Sequence, residues 1–277
     1  MSAEKLTISE LWIYPIKSLG GIQLQEAQLS PRGLQWDRRF MLLDAEGNFL
    51  TQRQFAEMAL LEVSLLPHAL QVRHRQKALV PLQIPLKIDD PGAHVQAPIW
   101  DDYTLAWYVG AAYDQWFSEA LDRPCRLVYM PDHSERTTTG KWSQRQQKVS
   151  FADDYPMLLI GQGSLDDLNT RLEKAVPMNR FRPSVVVRGA APFAEDLWHE
   201  FWVGQLHFWA EKPCARCVVT TIAQETGKKG KEPLRTLSRY RQVNNKIMFG
   251  QNLLCDAEGT IRVGDVVEVK SYKPGPL

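Results

Sequence analysis

The stretch Lys212-Pro213-Cys214-Ala215-Arg216-Cys217-Val218-Val219-Thr220-Thr221 places two thiols three residues apart, with an arginine between them. The Val and Thr residues that follow are stiff at χ1 and pack well on a pleated surface, so they predict a strand. The cysteine pair is then expected on the loop that enters this strand.

The residues around this cysteine pair limit the kinds of chemistry that it can perform. A redox Cys-x-x-Cys of the thioredoxin type is expected at a helix N-terminus, which lowers the thiol pKa. A zinc site usually adds a second cysteine pair or two histidines at matched spacing, and the sequence shows neither. Soft sulfur ligands beside a fixed positive charge suit a soft metal carried by an anionic cofactor. The alternative is that both cysteines are small buried hydrophobic residues.

The composition is that of a soluble globular protein with one large domain or two ordinary ones. The 277 residues are 44% hydrophobic and 23% charged, and the net charge is only +1. This balance gives no reason to expect a nucleic acid or a membrane surface as partner. Four cysteines do not make a disulfide framework in a chain of this size. With no signal-peptide pattern and no run of ~20 apolar residues, the sequence predicts a cytoplasmic protein.

Short β-like runs separated by turn signals predict a mainly β protein with a few helices, of the α+β class. Apolar residues at helical spacing predict a helix over residues 111–121, and Ser164 is expected to cap a second helix that runs to about Lys174. Residues 131–148 are polar and predict a surface loop. The short strands between residues 57 and 108 suggest a small barrel or sandwich.

Several basic segments are candidates for an anion site. Lys17 and Ser18 precede two glycines, a pattern that suits either an anion-facing loop or an ordinary hairpin turn. One of the adjacent Arg38 and Arg39 would pair with Asp37, leaving the other for a ligand. Two further arginines, Arg180 and Arg182, would point the same way on extended backbone and form a fork for phosphate or carboxylate. For each arginine pair, the alternative is structural ion pairing.

Two adjacent carboxylates, Asp153 and Asp154, precede a proline and a predicted strand. They would serve either as an acid/base pair or as the cap of a turn, and the residues alone favour the cap.

Taken together, five motifs make the sequence recognisable. They are Tyr14-Pro15-Ile16-Lys17-Ser18, Trp36-Asp37-Arg38-Arg39-Phe40, Arg180-Phe181-Arg182-Pro183, Pro213-Cys214-Ala215-Arg216-Cys217-Val218-Val219-Thr220-Thr221 and Phe249-Gly250-Gln251-Asn252. In order and spacing, the chain resembles MOSC-domain proteins that carry a MOSC N-terminal β-barrel domain, of the YcbX and mitochondrial amidoxime-reducing component type. The likeness covers nearly the whole chain and implies two units, a MOSC N-terminal β-barrel domain over residues 1–122 and a MOSC β-barrel domain over residues 123–272.

The resemblance implies a molybdenum–molybdopterin cofactor bound to one protein thiolate, here that of Cys217, with Arg216 favouring the thiolate by its charge. It implies that Asp153 lies beside the metal and relays protons. The residues that would hold or line the cofactor are Lys17, Ser18, Arg39, Asp154, Arg182, Ala215, Arg216 and Asn252. The cofactor would lie in the cleft between the two units, or else the first strands belong structurally to the second barrel.

The implied activity is reduction of N-hydroxylated or N-oxide compounds. The sequence lacks the Cys-x₄-Cys-x₂-Cys spacing of an internal iron–sulfur cluster, so the electrons would come from a separate protein of the flavin reductase or ferredoxin type. We expect a monomer, and pyridoxal phosphate binding stays open. The alternatives are a sulfur carrier with a persulfide on Cys214 or Cys217, and a non-catalytic binder of the cofactor.

Overall fold

The computed structural model describes residues 5–138 and 145–276, so residues 139–144 of the predicted surface loop lie outside the described part. In chain order, the strands described are β1 (Thr7–Ile13), β2 (Ile22–Leu24), β3 (Glu26–Ser30), β4 (Gly33–Leu34), β5 (Phe40–Leu43), β6 (Leu61–Leu65), β7 (Ala69–His74), β8 (Leu82–Pro85), β9 (His94–Ile99), β10 (Asp102–Tyr108), β11 (Arg126–Tyr129), β12 (Met157–Gly161), β13 (Val185–Arg188), β14 (Trp198–Val203), β15 (Leu206–Arg216), β16 (Gln242–Val243), β17 (Lys246–Cys255), β18 (Gly259–Arg262) and β19 (Val267–Tyr272).

Three α-helices accompany the strands in the described part of the chain: α1 (Ala111–Leu121), α2 (Gln162–Thr170) and α3 (Leu234–Leu237). Four 3₁₀ helices cover Ala56–Leu60, Met178–Phe181, Ala194–Asp196 and Val218–Thr221. The predicted mainly β, α+β class is confirmed. Among these described helices, none is both long and apolar enough to cross a lipid bilayer.

The largest sheet has nine strands in the order β19-β14-β15-β17-β12-β13-β1-β2, with β16 paired to β17. A bridge between Thr7 and Val266 joins β1 to the segment before β19. The sheet therefore curls around a core in which Phe201 and Phe208 stack, with ring centres 5.1 Å apart. Strands β3, β4 and β18 form a small sheet that packs on the same core.

The other unit contains the sheets β5-β11-β10-β9 and β6-β7-β8. Helix α1 begins and ends at the predicted residues, and it buries Phe117, Ala120 and Leu121 against this unit. That spacing places one face of the helix on the core, as the apolar pattern indicates.

The two units exchange strands. Although β1 and β2 come from the first 122 residues, they complete the nine-stranded sheet. Conversely, β11 follows residue 122 and pairs with β5 and β10 of the other unit. The first strands thus belong structurally to the second barrel, and the loop after β1 lies where the units meet.

The predicted strand after the cysteine pair was wrong. Strand β15 runs up to Arg216, paired with β17, and Val218–Thr221 forms a 3₁₀ helix. Within this turn, the hydroxyl of Thr220 donates to the carbonyl of Cys217 at 3.0 Å, and that of Thr221 donates to Val218 at 2.7 Å. Such local hydrogen bonds compete with a sheet ladder and override the β-propensity of these residues.

The predicted cap of the second helix was also wrong. Helix α2 begins at Gln162 and ends at Thr170, so Ser164 lies inside its first turn. The Ser164 hydroxyl is 2.7 Å and 2.9 Å from the two carboxylate oxygens of the buried Glu195. The serine hydroxyl therefore donates a hydrogen bond to a buried carboxylate and does not cap the start of the helix.

Gly250 on β17 gives a test of how closely β17 packs against β12. Gly250 on β17 has φ +84°, and an added Cβ would lie 2.7 Å from the carbonyl oxygen of Leu159. Gly47 has φ +86° with nothing within 4 Å of such a Cβ. Gly47→Ala is expected to cost only the left-handed backbone term of about 1–2 kcal/mol. Gly250→Ala adds a clash with backbone, so its loss of unfolding free energy in urea titrations is expected to be clearly larger. Equal losses would contradict this packing.

Candidate functional site

A cavity of about 690 Å³ lies where the two units meet. Its three acidic lining residues are outnumbered by eight basic ones: Lys17, Arg38, Arg53, Arg182, Lys212, Arg216, Lys246 and Lys273. The chain as a whole carries a net charge of only +1, so positive charge is concentrated here. A cavity of this kind attracts an anionic ligand. In the described residues, no three His, Cys, Asp or Glu side chains group closely enough to hold a metal ion.

Cys217 lies directly after β15 with extended backbone, at the entrance to the Val218–Thr221 turn, and its side chain is half-buried. The Nε of Arg53 donates to its sulfur at 3.4 Å. Arg216, which we expected beside this thiol, instead donates to the sulfur of Cys214 at 3.0 Å and to the carbonyl of Phe181 at 2.5 Å. The cation beside Cys217 therefore comes from the other unit.

Asp153 lies before β12 and receives a cation on each carboxylate oxygen. The Lys17 ammonium is 2.5 Å from Oδ1, and Nη2 of Arg53 is 2.7 Å from Oδ2. Lys17 also donates to the carbonyl of Phe151 at 2.8 Å and is almost fully buried. Desolvation opposes the charge of Asp153, but the two cations outweigh it and hold the pKa of this carboxyl well below its usual range. Cys217, Arg53, Asp153 and Lys17 thus form one continuous chain of contacts.

A second cationic group surrounds the buried Tyr14. Arg182 has a left-handed backbone, donates to the carbonyl of Leu19 at 2.7 Å and lies 4.1 Å from the Tyr14 ring centre. Arg38 lies 4.5 Å from the same ring centre and is paired with Asp37 at 2.5 Å. Burial lowers the pKa of Arg182 to about 10, which still leaves it charged at neutral pH. Two guanidinium groups that line the cavity therefore contact one aromatic ring.

Arg39, which we expected to bind the cofactor, does not line the cavity. Arg39 donates to the carbonyl of Met130 at 3.1 Å and to Asp132 at 2.7 Å. Arg38 lines the cavity in its place, from the turn before β5, where its φ is +49°.

The predicted fork of Arg180 and Arg182 does not form. The Met178–Phe181 segment is a 3₁₀ helix and not extended backbone, so the two side chains diverge. Arg180 donates to the carbonyls of Thr220 at 2.9 Å and Glu232 at 3.2 Å. Arg180 is therefore a structural residue that ties two loops together, and only Arg182 reaches the cavity.

The remaining predicted residues all line the cavity: Ser18, Asp154, Ala215 and Asn252. Asp154 is ion-paired with Lys212, and the Lys212 ammonium lies 4.9 Å from the ring centre of Tyr155. The Asn252 amide on β17 is 3.4 Å from the carbonyl of Lys212. Arg53 was missed, since no motif marks it. The one feature of the sequence that could have indicated Arg53 is the polar run Thr51-Gln52-Arg53-Gln54 directly before a buried segment.

Lys273 gives a pH-dependent prediction for the far wall of the cavity. Burial, partly offset by Glu211 and Asp196, lowers its pKa from 10.5 to about 8. Between these two pH values the unfolded chain binds more protons than the folded chain, so this group makes stability rise with pH. Lys273→Met is expected to flatten the rise in unfolding free energy between about pH 8 and pH 10. Urea titrations of both proteins across this range check it, and parallel curves would contradict it.

Comparisons with known proteins agree with this architecture. Residues 5–124 match the MOSC N-terminal beta barrel domain, and residues 146–268 match the MOSC domain. Mitochondrial amidoxime-reducing component 1 of Mus musculus is 32% identical over 94% of this chain and 81% of that protein. The Homo sapiens protein of the same name is 31% identical over 94% of this chain and 82% of its own length.

A third relative has a different name. Molybdenum cofactor sulfurase of Oryza sativa is 31% identical over 88% of this chain, which corresponds to 32% of that longer protein. These matches support a molybdenum-related oxidoreductase or sulfurase family. The chain belongs to the MOSC-domain family with a MOSC N-terminal beta barrel domain, and it matches the mitochondrial amidoxime-reducing components over 81–82% of their length. The resemblance predicted from the motifs is confirmed.

Proposed function

We propose that this protein binds a molybdenum–molybdopterin cofactor in the cavity, with the thiolate of Cys217 as the protein ligand of the metal. With this cofactor it would reduce N-hydroxylated or N-oxide compounds. The observation that carries the proposal is that the half-buried sulfur of Cys217, the ionised carboxylate of Asp153 and a surplus of cations lie around a single cavity. The amidoxime-reducing relatives support the substrate class.

The donor set fits this cofactor. A thiolate is a soft ligand of the kind that such metal centres take, and the guanidinium groups of Arg38 and Arg182 suit phosphate recognition. The Nε of Arg216 is buried and has no hydrogen-bond partner in the described part of the chain, which leaves a donor for a ligand. When bound, the cofactor would supply two-electron chemistry that takes an oxygen atom from the substrate.

The protein's own residues would hold and orient the reactants. Lys17, Ser18, Arg38 and Arg182 would bind the pterin and its phosphate, while Ala215, Asn252 and the pair of Asp154 with Lys212 shape the opposite wall. Reduction of a substrate R–NHOH to R–NH₂ and water consumes two electrons and two protons. We expect Asp153, paired with Lys17 at the wall, to assist this proton transfer by orienting the proton donors, because its lowered pKa keeps it ionised.

The electrons would come from a separate protein of the flavin reductase or ferredoxin type. The sequence has four cysteines, at 125, 214, 217 and 255, and their spacing does not match a plant-type iron–sulfur motif. A cytoplasmic monomer remains our prediction.

The direct test is to purify the protein from a molybdenum-sufficient host and to measure metal content and turnover of an amidoxime with a chemical reductant. We expect about one molybdenum per chain, since one sulfur ligand holds one metal, and formation of the amidine. Protein without molybdenum or turnover would contradict the proposal. Cofactor bound without turnover of any N-hydroxy, N-oxide or S-oxide compound would instead identify a non-catalytic binder.

A second candidate is a sulfur carrier, favoured by the contact of Arg216 with the sulfur of Cys214 and by the sulfurase relative. A positive charge beside a thiol favours the nucleophilic thiolate, which would attack the outer sulfur of a donor persulfide and take that sulfur while the donor leaves as a thiolate. Mass spectrometry of the freshly purified protein would then find one added sulfur atom on Cys214 or Cys217 and no molybdenum in the same sample.

A further inference from the structure

The guanidinium group of Arg53 contacts three different residues. Its Nε donates to the sulfur of Cys217 at 3.4 Å, and its Nη2 donates to Asp153 at 2.7 Å. The face of the same guanidinium lies 4.3 Å from the ring centre of Trp100. A planar guanidinium can use its edge for two hydrogen bonds while its face stacks on a ring, and a lysine ammonium cannot.

The backbone of Arg53 is fixed from both sides. The preceding Gln52 is fully buried, donates to the carbonyl of Ser18 at 2.7 Å and exchanges hydrogen bonds with Gln224. The Lys229 ammonium is 3.4 Å from the carbonyl oxygens of Arg53 and Gln54. The side chain thus starts from a position tied to segments of both units, with little freedom at its origin.

Trp100 covers the guanidinium from the solvent side, at the tip of the hairpin between β9 and β10. Its side chain is 48% exposed, and its φ is +55°. A two-residue hairpin loop requires a positive φ at its first central residue, so the turn itself fixes the position from which the indole starts. Phe49 packs edge-on against the same ring, with ring centres 5.1 Å apart. The hairpin tip therefore holds an aromatic surface against Arg53.

We infer that Arg53, held by Trp100, is a positioning residue that sets the sulfur of Cys217 and the carboxylate of Asp153 at a fixed separation across the two units. The inference rests on the proposed function, because the sulfur is the proposed metal ligand. Partners that orient a metal ligand also tune the metal, and their loss typically costs activity or affinity. Arg53 would therefore affect the electronic state of the metal as well as turnover, without touching the pterin phosphate.

The test compares Arg53→Gln and Arg53→Lys with a matched control, Arg171→Gln. Like Arg53, Arg171 makes two side-chain hydrogen bonds and stacks on an aromatic ring. Both of its hydrogen bonds go to the carboxylate of Asp167, and its guanidinium lies 4.3 Å from the ring centre of Tyr240. Arg171 does not line the cavity. Each loaded variant is measured for molybdenum content, for kcat and KM with an amidoxime, and for the paramagnetic resonance spectrum of partly reduced molybdenum.

Arg53→Gln is expected to lower kcat by about 10- to 100-fold with KM little changed, and to shift the molybdenum spectrum. Arg53→Lys restores the charge but not the geometry, so it should recover only part of kcat. Trp100→Leu keeps the arginine and removes its support, and it should shift the spectrum in the same direction by less. Arg171→Gln should match the wild type throughout.

Three results would overturn the inference. One is a wild-type spectrum and kcat in Arg53→Gln, and another is full recovery in Arg53→Lys, which would show that charge alone matters. The third is a wild-type protein without molybdenum, which overturns the proposed function and this inference together. The first two leave the proposed function standing, so the two failures are distinguishable.

Discussion

Cys217→Ser is expected to leave the purified protein without molybdenum and without amidoxime reduction, while the fold is kept. The loss should exceed the roughly 10- to 100-fold that removal of an outer-shell partner costs, because the metal ligand itself is removed. The Cys217 side chain is half-buried, and in the described structure its sulfur contacts Arg53 at 3.4 Å, so serine leaves no large void. Metal analysis and turnover measure the effect, and circular dichroism checks the fold.

Cys214→Ser is the matched control for this variant. Cys214 lines the same cavity and its sulfur accepts a hydrogen bond from Arg216 at 3.0 Å, yet it is not the proposed ligand. We expect this variant to keep its molybdenum and most of its activity. Full activity in Cys217→Ser would exclude the thiolate role, and equal losses in both variants would contradict a role of Cys217 as the one protein ligand of the metal.

Asp153→Asn is expected to lower kcat/KM by about 10²- to 10⁴-fold, the range for loss of a positioned proton-transfer group. The carboxylate accepts from Lys17 on one oxygen and from Arg53 on the other. An amide has one oxygen to accept with, so its NH₂ group would face one of the two cations. Steady-state kinetics with a chemical reductant measure the loss.

Controls for Asp153→Asn come from the same wall. Asp154→Asn removes a carboxylate paired with Lys212, and we expect it to keep most of the activity. Because the cations lower the pKa of Asp153, its stabilising charge is present above the unfolded value of 3.8 and is lost as the pH falls below it. The stability difference between wild type and Asp153→Asn should therefore shrink in acid. Similar kinetics for the two asparagine variants would contradict a special role of Asp153.

The sequence was sufficient for the residue types of the site, but not for the direction in which each side chain points. Lys17, Arg182 and Cys217 were singled out by charge and sulfur, and the structure places all three on one cavity. Which of Arg38 and Arg39 faces that cavity is set in the turn before β5, where Arg38 has a left-handed backbone. A pair of identical neighbours in the sequence does not show which of them takes that conformation.

The errors in local structure have a common physical origin. Val218–Thr221 has a strong preference for strands, yet threonine hydroxyls close it into a turn by bonding carbonyls three residues back. Ser164 has the chemistry of a helix cap, yet a carboxylate from a distant segment, Glu195, takes its hydroxyl. In both places hydrogen bonds that form only in the folded chain outweigh local propensity.

Arg53 shows the limit most clearly. Its partners are Trp100, Asp153 and Cys217, which lie on three other segments of the chain. No spacing rule connects these positions, and they meet only in the folded chain. The family resemblance predicted the two units but left open whether the first strands join the second barrel, and the coordinates place β1 and β2 there and β11 in the other unit.

The most direct measurement is X-ray absorption at the molybdenum edge on the freshly loaded protein, compared with Cys217→Ser loaded in the same way. We predict a sulfur shell with one ligand more than the cofactor itself provides, and its loss in the serine variant. A molybdenum spectrum that is identical in both proteins, or no molybdenum in either, would contradict the claim that the sulfur of Cys217 holds the metal in this cationic cavity.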